Sequence, residues 1–259
     1  MESDGEFIMA VKYLSGNRLW GTDAERLAMT TDIPINTIFI TSDTNVHYMY
    51  NPQSFDDKFV MRFKMTKVSF DGQTAFLGLS STDDSNGIDT NQDFVGMAFR
   101  PATSTEIQGL ATDNASPQDA SRGSNANYTW SGSRYYEITR DGADLNYEVF
   151  SDSGYSTSLA DNSMTMSGTI NSLRYFKLSC AEFGQSGASD ITFDDLELWA
   201  SKTTASGTAD YTYDTFDDVQ ITGSRITVSG EKVVWDVTSE YLINCLTIDI
   251  NPSVWHEVA

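Results

Sequence analysis

Between Arg134 and Ser201 the chain reads as a run of short strands in which side chains of one kind alternate with side chains of another, and that period of two confines it to sheets. In Tyr135-Tyr-Glu-Ile-Thr-Arg140, Tyr136 and Ile138 share one face while Tyr135, Glu137 and Thr139 share the other. Asp141-Gly142 follows at once, a dipeptide suited to the positive φ of a hairpin turn, and Leu145, Tyr147 and Val149 resume the alternation. The pattern predicts an antiparallel hairpin. In Ile191-Thr-Phe-Asp-Asp-Leu-Glu-Leu-Trp199 the parity changes: Ile191 and Phe193 point one way, Leu196 and Leu198 the other. A β-bulge at Asp194-Asp195 accounts for the switch. Strands that each bury one face and wet the other require a second sheet to pack against, so an all-β sandwich is predicted.

The same logic extends along the chain. Phe59, Met61, Phe63 and Met65 alternate with Val60, Arg62 and Lys64, which predicts a half-buried strand. Further strands are expected at 37–41, 74–80, 94–100, 107–111 and 173–180. Thr22-Asp-Ala-Glu25 has the form of a capping box and predicts a short helix through about Met29, broken by Ile33-Pro-Ile35. Helix content should be very low. The expected domains are an N-terminal assembly segment (1–34), a β-sandwich (35–201), a Ser/Thr/Gly linker (202–209) and a C-terminal β appendage (210–259). The appendage holds strand-like stretches at 220–229, 232–238 and 241–250, but about fifty residues bury too little surface to stand alone, so it should dock on the sandwich or a neighbouring subunit.

Composition narrows the function. The 259 residues suffice for one large sandwich and an appendage, and aromatic residues, at 12%, are ample for its core. A formal charge of -21, from 37 acidic against 16 basic residues, repels phosphate backbones and anionic headgroups, so nucleic acid is not expected as a partner. The same excess suits a saline habitat or a site that collects cations. No apolar run approaches the ~20 residues of a membrane span, so no membrane insertion is expected. The start, Met1-Glu-Ser-Asp-Gly-Glu-Phe7, lacks the basic and apolar stretches of a secretory signal. Cys180 and Cys245 lie in apolar strand-like segments, which favours buried free thiols, with one disulfide as the alternative.

Four segments carry a family resemblance: Tyr135-Tyr-Glu-Ile-Thr-Arg-Asp-Gly142, Tyr147-Glu-Val-Phe-Ser-Asp-Ser153, Leu173-Arg-Tyr-Phe-Lys-Leu178 and Phe193-Asp-Asp-Leu-Glu-Leu-Trp199. In order and spacing they resemble the concanavalin A-like jelly-roll sandwich, in its laminin-G-like form common among surface and virion proteins. Met9-Ala-Val-Lys-Tyr-Leu-Ser-Gly-Asn-Arg-Leu-Trp-Gly-Thr22 resembles the opening of structural proteins from tailed viruses of marine microbes. The resemblance implies a non-enzymatic virion surface protein, a capsid decoration or tail-fibre component. Such a protein would form a homo-oligomer, assemble with other virion proteins and attach to host-surface glycans. The alternatives are a secreted lectin or carbohydrate-binding module, and a glycoside hydrolase with an atypical site.

Catalytic patterns are missing from the sequence. A β-glucan-cleaving strand of this fold reads E-x-D-x-E or E-x-D-x-x-E, because period two sends all its carboxylates into one cleft and retaining hydrolysis needs two of them about 5 Å apart. Neither form occurs; Asp195 and Glu197 share a face, but that of a solvated strand. With only His47 and His256 and no G-x-S-x-G, no nucleophile triad is expected. No close His/Cys pair suits a transition metal. No cofactor is required on this reading, with calcium the one candidate. In Asp83-Asp-Ser-Asn-Gly-Ile-Asp-Thr-Asn-Gln-Asp93, Gly87 permits a sharp turn and Asp84, Asn86, Asp89, Asn91 and Asp93 could offer oxygens to a hard cation; a plain polar hairpin loop is the alternative. Glycan recognition has a candidate in Asn125, Asn127, Tyr128 and Trp130, where amides would bind hydroxyls and aromatic rings would stack on a sugar face. The same two rings, two residues apart, also suit a core. The long polar stretch 113–127 leads into them.

Overall fold

Phe59, Met61, Phe63 and Met65 are fully buried along one side of a thirteen-residue strand, Lys58–Phe70, around which the larger part of the protein is built. The computed structural model describes residues 12–14, 18–29, 37–50, 55–70, 75–82, 92–101, 105–114, 121–180, 188–213, 220–222, 226–229, 232–238, 245–250 and 255–258. They fall into two units, Met1–Gln53 with Asn251–Ala259, and Ser54–Ile250.

The smaller unit is a five-stranded sheet in the order β1 (Lys12–Leu14), β2 (Arg18–Gly21), β3 (Thr37–Thr41), β4 (His47–Tyr50), β21 (Trp255–Val258). Strands β2 and β3 are parallel, as a crossover containing helix α1 (Asp23–Ala28) allows. The capping box forms: Glu25 N–H donates to Thr22 Oγ1 at 3.2 Å and Thr22 N–H donates to Glu25 Oε2 at 2.7 Å. Leu19 and Phe39 are buried in this unit.

The larger unit is a sandwich of two eight-stranded antiparallel sheets. The first runs β13 (Ser158–Thr165), β12 (Asp144–Phe150), β11 (Ser133–Asp141), β5 (Lys58–Phe70), β15 (Ala188–Ala200), β19 (Lys232–Thr238), β18 (Ile226–Ser229), with β16 (Tyr211–Tyr213) also on β15. The second runs β10 (Ala126–Tyr128), β8 (Thr105–Thr112), β7 (Phe94–Pro101), β6 (Ala75–Ser80), β14 (Tyr175–Cys180), β20 (Cys245–Asp249), β17 (Gln220–Thr222), with β9 (Ser121–Arg122) on β8. The protein is therefore an all-β sandwich. Met61, Phe63, Tyr136 and Ile138 from one sheet join Leu77, Val95, Met97 and Phe176 from the other in one core. The bulge sits where the parity of the sequence placed it: the β5–β15 register slips between Asp194 and Glu197, Asp195 takes φ +52°, and Phe193, Leu196 and Leu198 are all buried.

The division of the chain differs from the expected one. Strands β3 and β4, expected in the sandwich, belong to the smaller unit, and so does β21 from the expected appendage. The rest of that appendage completes both sheets, β19 pairing with β15 and β20 with β14. Added to existing sheet edges, these strands bury apolar faces that fifty residues could not bury alone. Residues 202–209, expected as a linker, form a local excursion between β15 and β16. Trp199 Nε1 donates to Gly207 O at 3.4 Å, and Ala200 N–H donates to Asp210 Oδ2 at 2.9 Å. Cys245 lies opposite Ser179, one register step from Cys180.

Where the second sheet is tightest, Gly78 and Gly96 face each other across β6 and β7. A Cβ on Gly96 would come within 2.6 Å of Gly78 Cα, a backbone atom that cannot swing away. Gly96→Ala should destabilise the sandwich by about 1–3 kcal/mol, measured by thermal unfolding.

Candidate functional site

In β11 Glu137, between the buried Tyr136 and Ile138, points outward, and register extends that outward row across the sheet. Asp161, Glu148, Glu137, Arg62 and Glu197 stand opposite one another in turn on β13, β12, β11, β5 and β15. Four carboxylates thus flank one guanidinium. Arg62 Nε donates to Glu137 Oε2 at 2.6 Å, and its guanidinium lies 4.0 Å from the centre of the Tyr155 ring. One row along, Lys64 Nζ lies 3.1 Å from Asp194 Oδ2 and 3.6 Å from Asp195 Oδ2. Burial opposes the charge on Lys64, but the hydrogen bond and charge of Asp194 outweigh it and raise its pKa. Burial and the neighbouring Asp194 push the Asp195 carboxyl up.

On this face Arg62 is thus engaged by Glu137 of β11, and Lys64 by Asp194 and Asp195 of β15. On the β12–β13 side, no cation pairs with Glu148 or Asp161 among the described residues. There the surface dips into a groove of about 390 Å³ lined by Glu137, Thr139, Asn146, Glu148, Asp161 and Ser163, among others. Carboxylates there accept hydrogen bonds, and amide and hydroxyl groups both donate and accept. Such a lining complements a neutral ligand dense in hydroxyls, and its charge rejects an anion.

The residues singled out in the sequence lie elsewhere. Tyr128 and Trp130 are 6% and 5% exposed, members of the core rather than a platform for a sugar ring. Tyr128 and Tyr136 hydroxyls meet at 2.7 Å, and burial raises the pKa of both phenols. Trp130 Nε1 donates to Gly132 O at 3.1 Å. Period two put both rings on one face, and that face is inward. Asn125 and Asn127 are exposed, and Asn125 Nδ2 donates to Glu106 Oε2 at 2.9 Å. The four are therefore not brought together as one binding site.

Of the calcium candidates, Asp84, Asn86, Asp89 and Asn91 lie outside the described residues. Asp93 is 7% exposed, and its carboxylate is already satisfied by protein donors. Oδ1 accepts from Asn114 N–H and Asn114 Nδ2, each at 3.2 Å, and Oδ2 accepts from Asn171 N–H at 2.8 Å. Asp93 is a tie between loops. No group of three or more His, Cys, Asp or Glu side chains suited to a metal occurs among the described residues. His47 and His256 sit on the adjacent strands β4 and β21.

The groove was missed because its signal is divided. The outward parity of Glu137, Thr139, Asn146 and Glu148 is plain in the sequence, whereas the pairing that brings Asp161 and Ser163 beside them is set by β12–β13 register.

No family model and no curated protein matches the chain. Among solved structures, it is similar to the CBM2 module of an evolved Dit from Lactobacillus casei BL23 phage J-1. Identity is 11%, the match covers 81% of this chain and 70% of that one, and the TM-score is 0.34. A likeness this distant carries nothing about ligand or role.

Proposed function

We propose that the protein is a non-enzymatic surface component of a virion, a capsid decoration or tail-fibre protein, whose sandwich is of the concanavalin A-like jelly-roll class and whose β11–β13 groove binds neutral host-surface glycans. The observation that carries the binding reading is the groove itself: the carboxylates of Glu148 and Asp161, which pair with no cation among the described residues, beside amide and hydroxyl groups on one sheet. The virion reading rests on the two sequence resemblances and on the acidic surface, which suits particle exteriors that must not stick to nucleic acid. As a virion component it assembles as a symmetric homo-oligomer with other particle proteins, and it needs no cofactor.

A glycan array tests the binding reading. The wild-type protein should retain neutral oligosaccharides over sulfated or uronate-rich ones. Asn146→Ala and Asp161→Ala, both on exposed positions, should each weaken retention about tenfold without moving the unfolding temperature. Absence of binding to any neutral glycan, or binding indifferent to both substitutions, overturns the reading. Turnover of a bound polysaccharide would overturn its non-enzymatic part.

A further inference from the structure

Strand β13 ends the first sheet and is the longest of the strands that end either one: eight residues, against four in β18 and three each in β10 and β17. Native sheets keep such edges from pairing with a second chain by making them short, or by placing lysine or proline on them. β13 has neither residue, and its one charge is Asp161. Its outward side chains are exposed, and Leu159, beside the register slip of the β12–β13 pair, is 40% exposed.

The direction of the edge's backbone groups follows from the ladder. Met166 N–H donates to Ala143 O at 2.7 Å, in step with the β12–β13 register. Bonding residues alternate along an antiparallel pair, so Met164 and Asn162 turn their N–H and C=O groups toward β12, while Thr165, Ser163 and Asp161 turn theirs away. Ser163 agrees: its N–H donates to the side-chain Oδ1 of Asn162 at 2.9 Å, a stand-in for the carbonyl of a neighbouring strand. Among the described residues, no strand pairs with this side of β13.

A second copy of the same strand fits this edge. Two-fold antiparallel pairing matches residues that share a face, so one residue lies on the axis opposite its own copy. With Asp161 on the axis, two carboxylates would meet. With Asn162 there, Asp161 falls opposite Ser163 of the second copy, whose hydroxyl can donate to it, and Ala160 falls opposite Met164 on the inward face. The outward backbone groups of Asp161 and Ser163 then form the hydrogen-bonded pairs, and an axis farther along shortens the ladder. We propose that β13 pairs antiparallel with β13 of a second copy about a two-fold axis at Asn162, joining the first sheets of two protomers into one. The proposal rests on the homo-oligomer reading above and gives it an interface. Because Asp161 and Ser163 also line the groove, the pairing brings the two grooves together at the axis.

Sedimentation equilibrium of the full chain tests the pairing. The wild-type protein should be dimeric, and its association should tighten as salt screens the carboxylates gathered near the axis. Ser163→Pro removes an outward N–H and leaves the bonds to β12 in place, so it should abolish association while the sheet signal in circular dichroism stays. Ser163→Asp sets a carboxylate opposite Asp161 twice per dimer and should weaken association about tenfold, whereas Ser163→Lys should tighten it about tenfold. Thr208→Lys, which adds the same charge on the exposed stretch after β15, should change it by no more than about twofold. A residue on the axis forms a close, non-hydrogen-bonded pair with its copy, so Asn162→Cys should yield a disulfide-linked dimer on oxidation and Ala160→Cys should not. A monomer at every salt concentration overturns the proposal together with the homo-oligomer reading. An oligomer indifferent to the Ser163 variants, or cross-linking by Asn162→Cys no better than by Ala160→Cys, overturns the proposal alone. Glycan retention is read separately on the array, so the groove stands or falls by its own variants.

Discussion

Tyr136→Ala should destabilise the sandwich by about 3–5 kcal/mol, read as a lowered denaturation midpoint at unchanged slope. Tyr136 is fully buried, and its ring is the hub of an aromatic cluster. It stacks on Phe63 at 5.1 Å and 7°, and meets Phe99, Tyr128 and Trp130 edge-on at 5.5, 6.4 and 6.3 Å. Phe63 is its register partner on β5, Phe99 comes from β7 in the facing sheet, and Tyr128 lies on β10 at the far edge of that sheet. Removing the ring therefore opens a cavity where the two layers meet, and neighbours on three strands lose dispersion contacts at once. Tyr136→Phe isolates the polar share. The stack survives, but the buried Tyr128 hydroxyl loses the partner at 2.7 Å, for about 1–2 kcal/mol. A loss from Tyr136→Ala no larger than that from Tyr136→Phe would mean that the rings do not pack as described.

Asp93→Ala should cost about 2–3 kcal/mol and loosen both loops it ties together, seen as a lower unfolding temperature and faster amide exchange at Asn114 and Asn171. One nearly buried carboxylate accepts from three N–H groups on two loops remote in sequence, a set of charge-assisted bonds that alanine cannot replace. Asp93→Asn, which keeps one acceptor oxygen, should fall between wild type and alanine. Because this carboxylate is committed to protein donors, the ordering of the three variants should be the same with calcium as with chelator. An ordering that appears only when calcium is present would return Asp93 to the role of cation ligand.

Asp93 also shows where inference from sequence stops. Its neighbours marked it as an oxygen donor in an acidic run, but Asn114 and Asn171, which claim that oxygen, lie 21 and 78 residues away. Local periodicity was informative wherever the deciding interaction was local: the Asp141-Gly142 hairpin, the Thr22–Glu25 cap and the bulge at Asp195 all formed as their residues predict. It failed where a face is covered from outside. Val60 has the parity of the wet side of β5, yet it is fully buried, opposite Trp199. The indole of Trp199 reaches back to Gly207, in a stretch that composition had marked as a linker. Tyr128 and Trp130 illustrate the remaining ambiguity, since stacking on a ligand and stacking on Tyr136 call for the same rings at the same spacing. Arg140 has the inward parity of Tyr136 and Ile138, but a guanidinium near a strand end reads as a charge that reaches solvent, and the structure buries it.

The smaller unit is assembled from both ends of the chain, with β21 hydrogen-bonded to β4 although some two hundred residues separate them. The sandwich is therefore an insert, spliced into a host sheet at 53/54 and 250/251. A cassette of this kind can be lengthened or replaced without breaking the strand pairings of the host sheet.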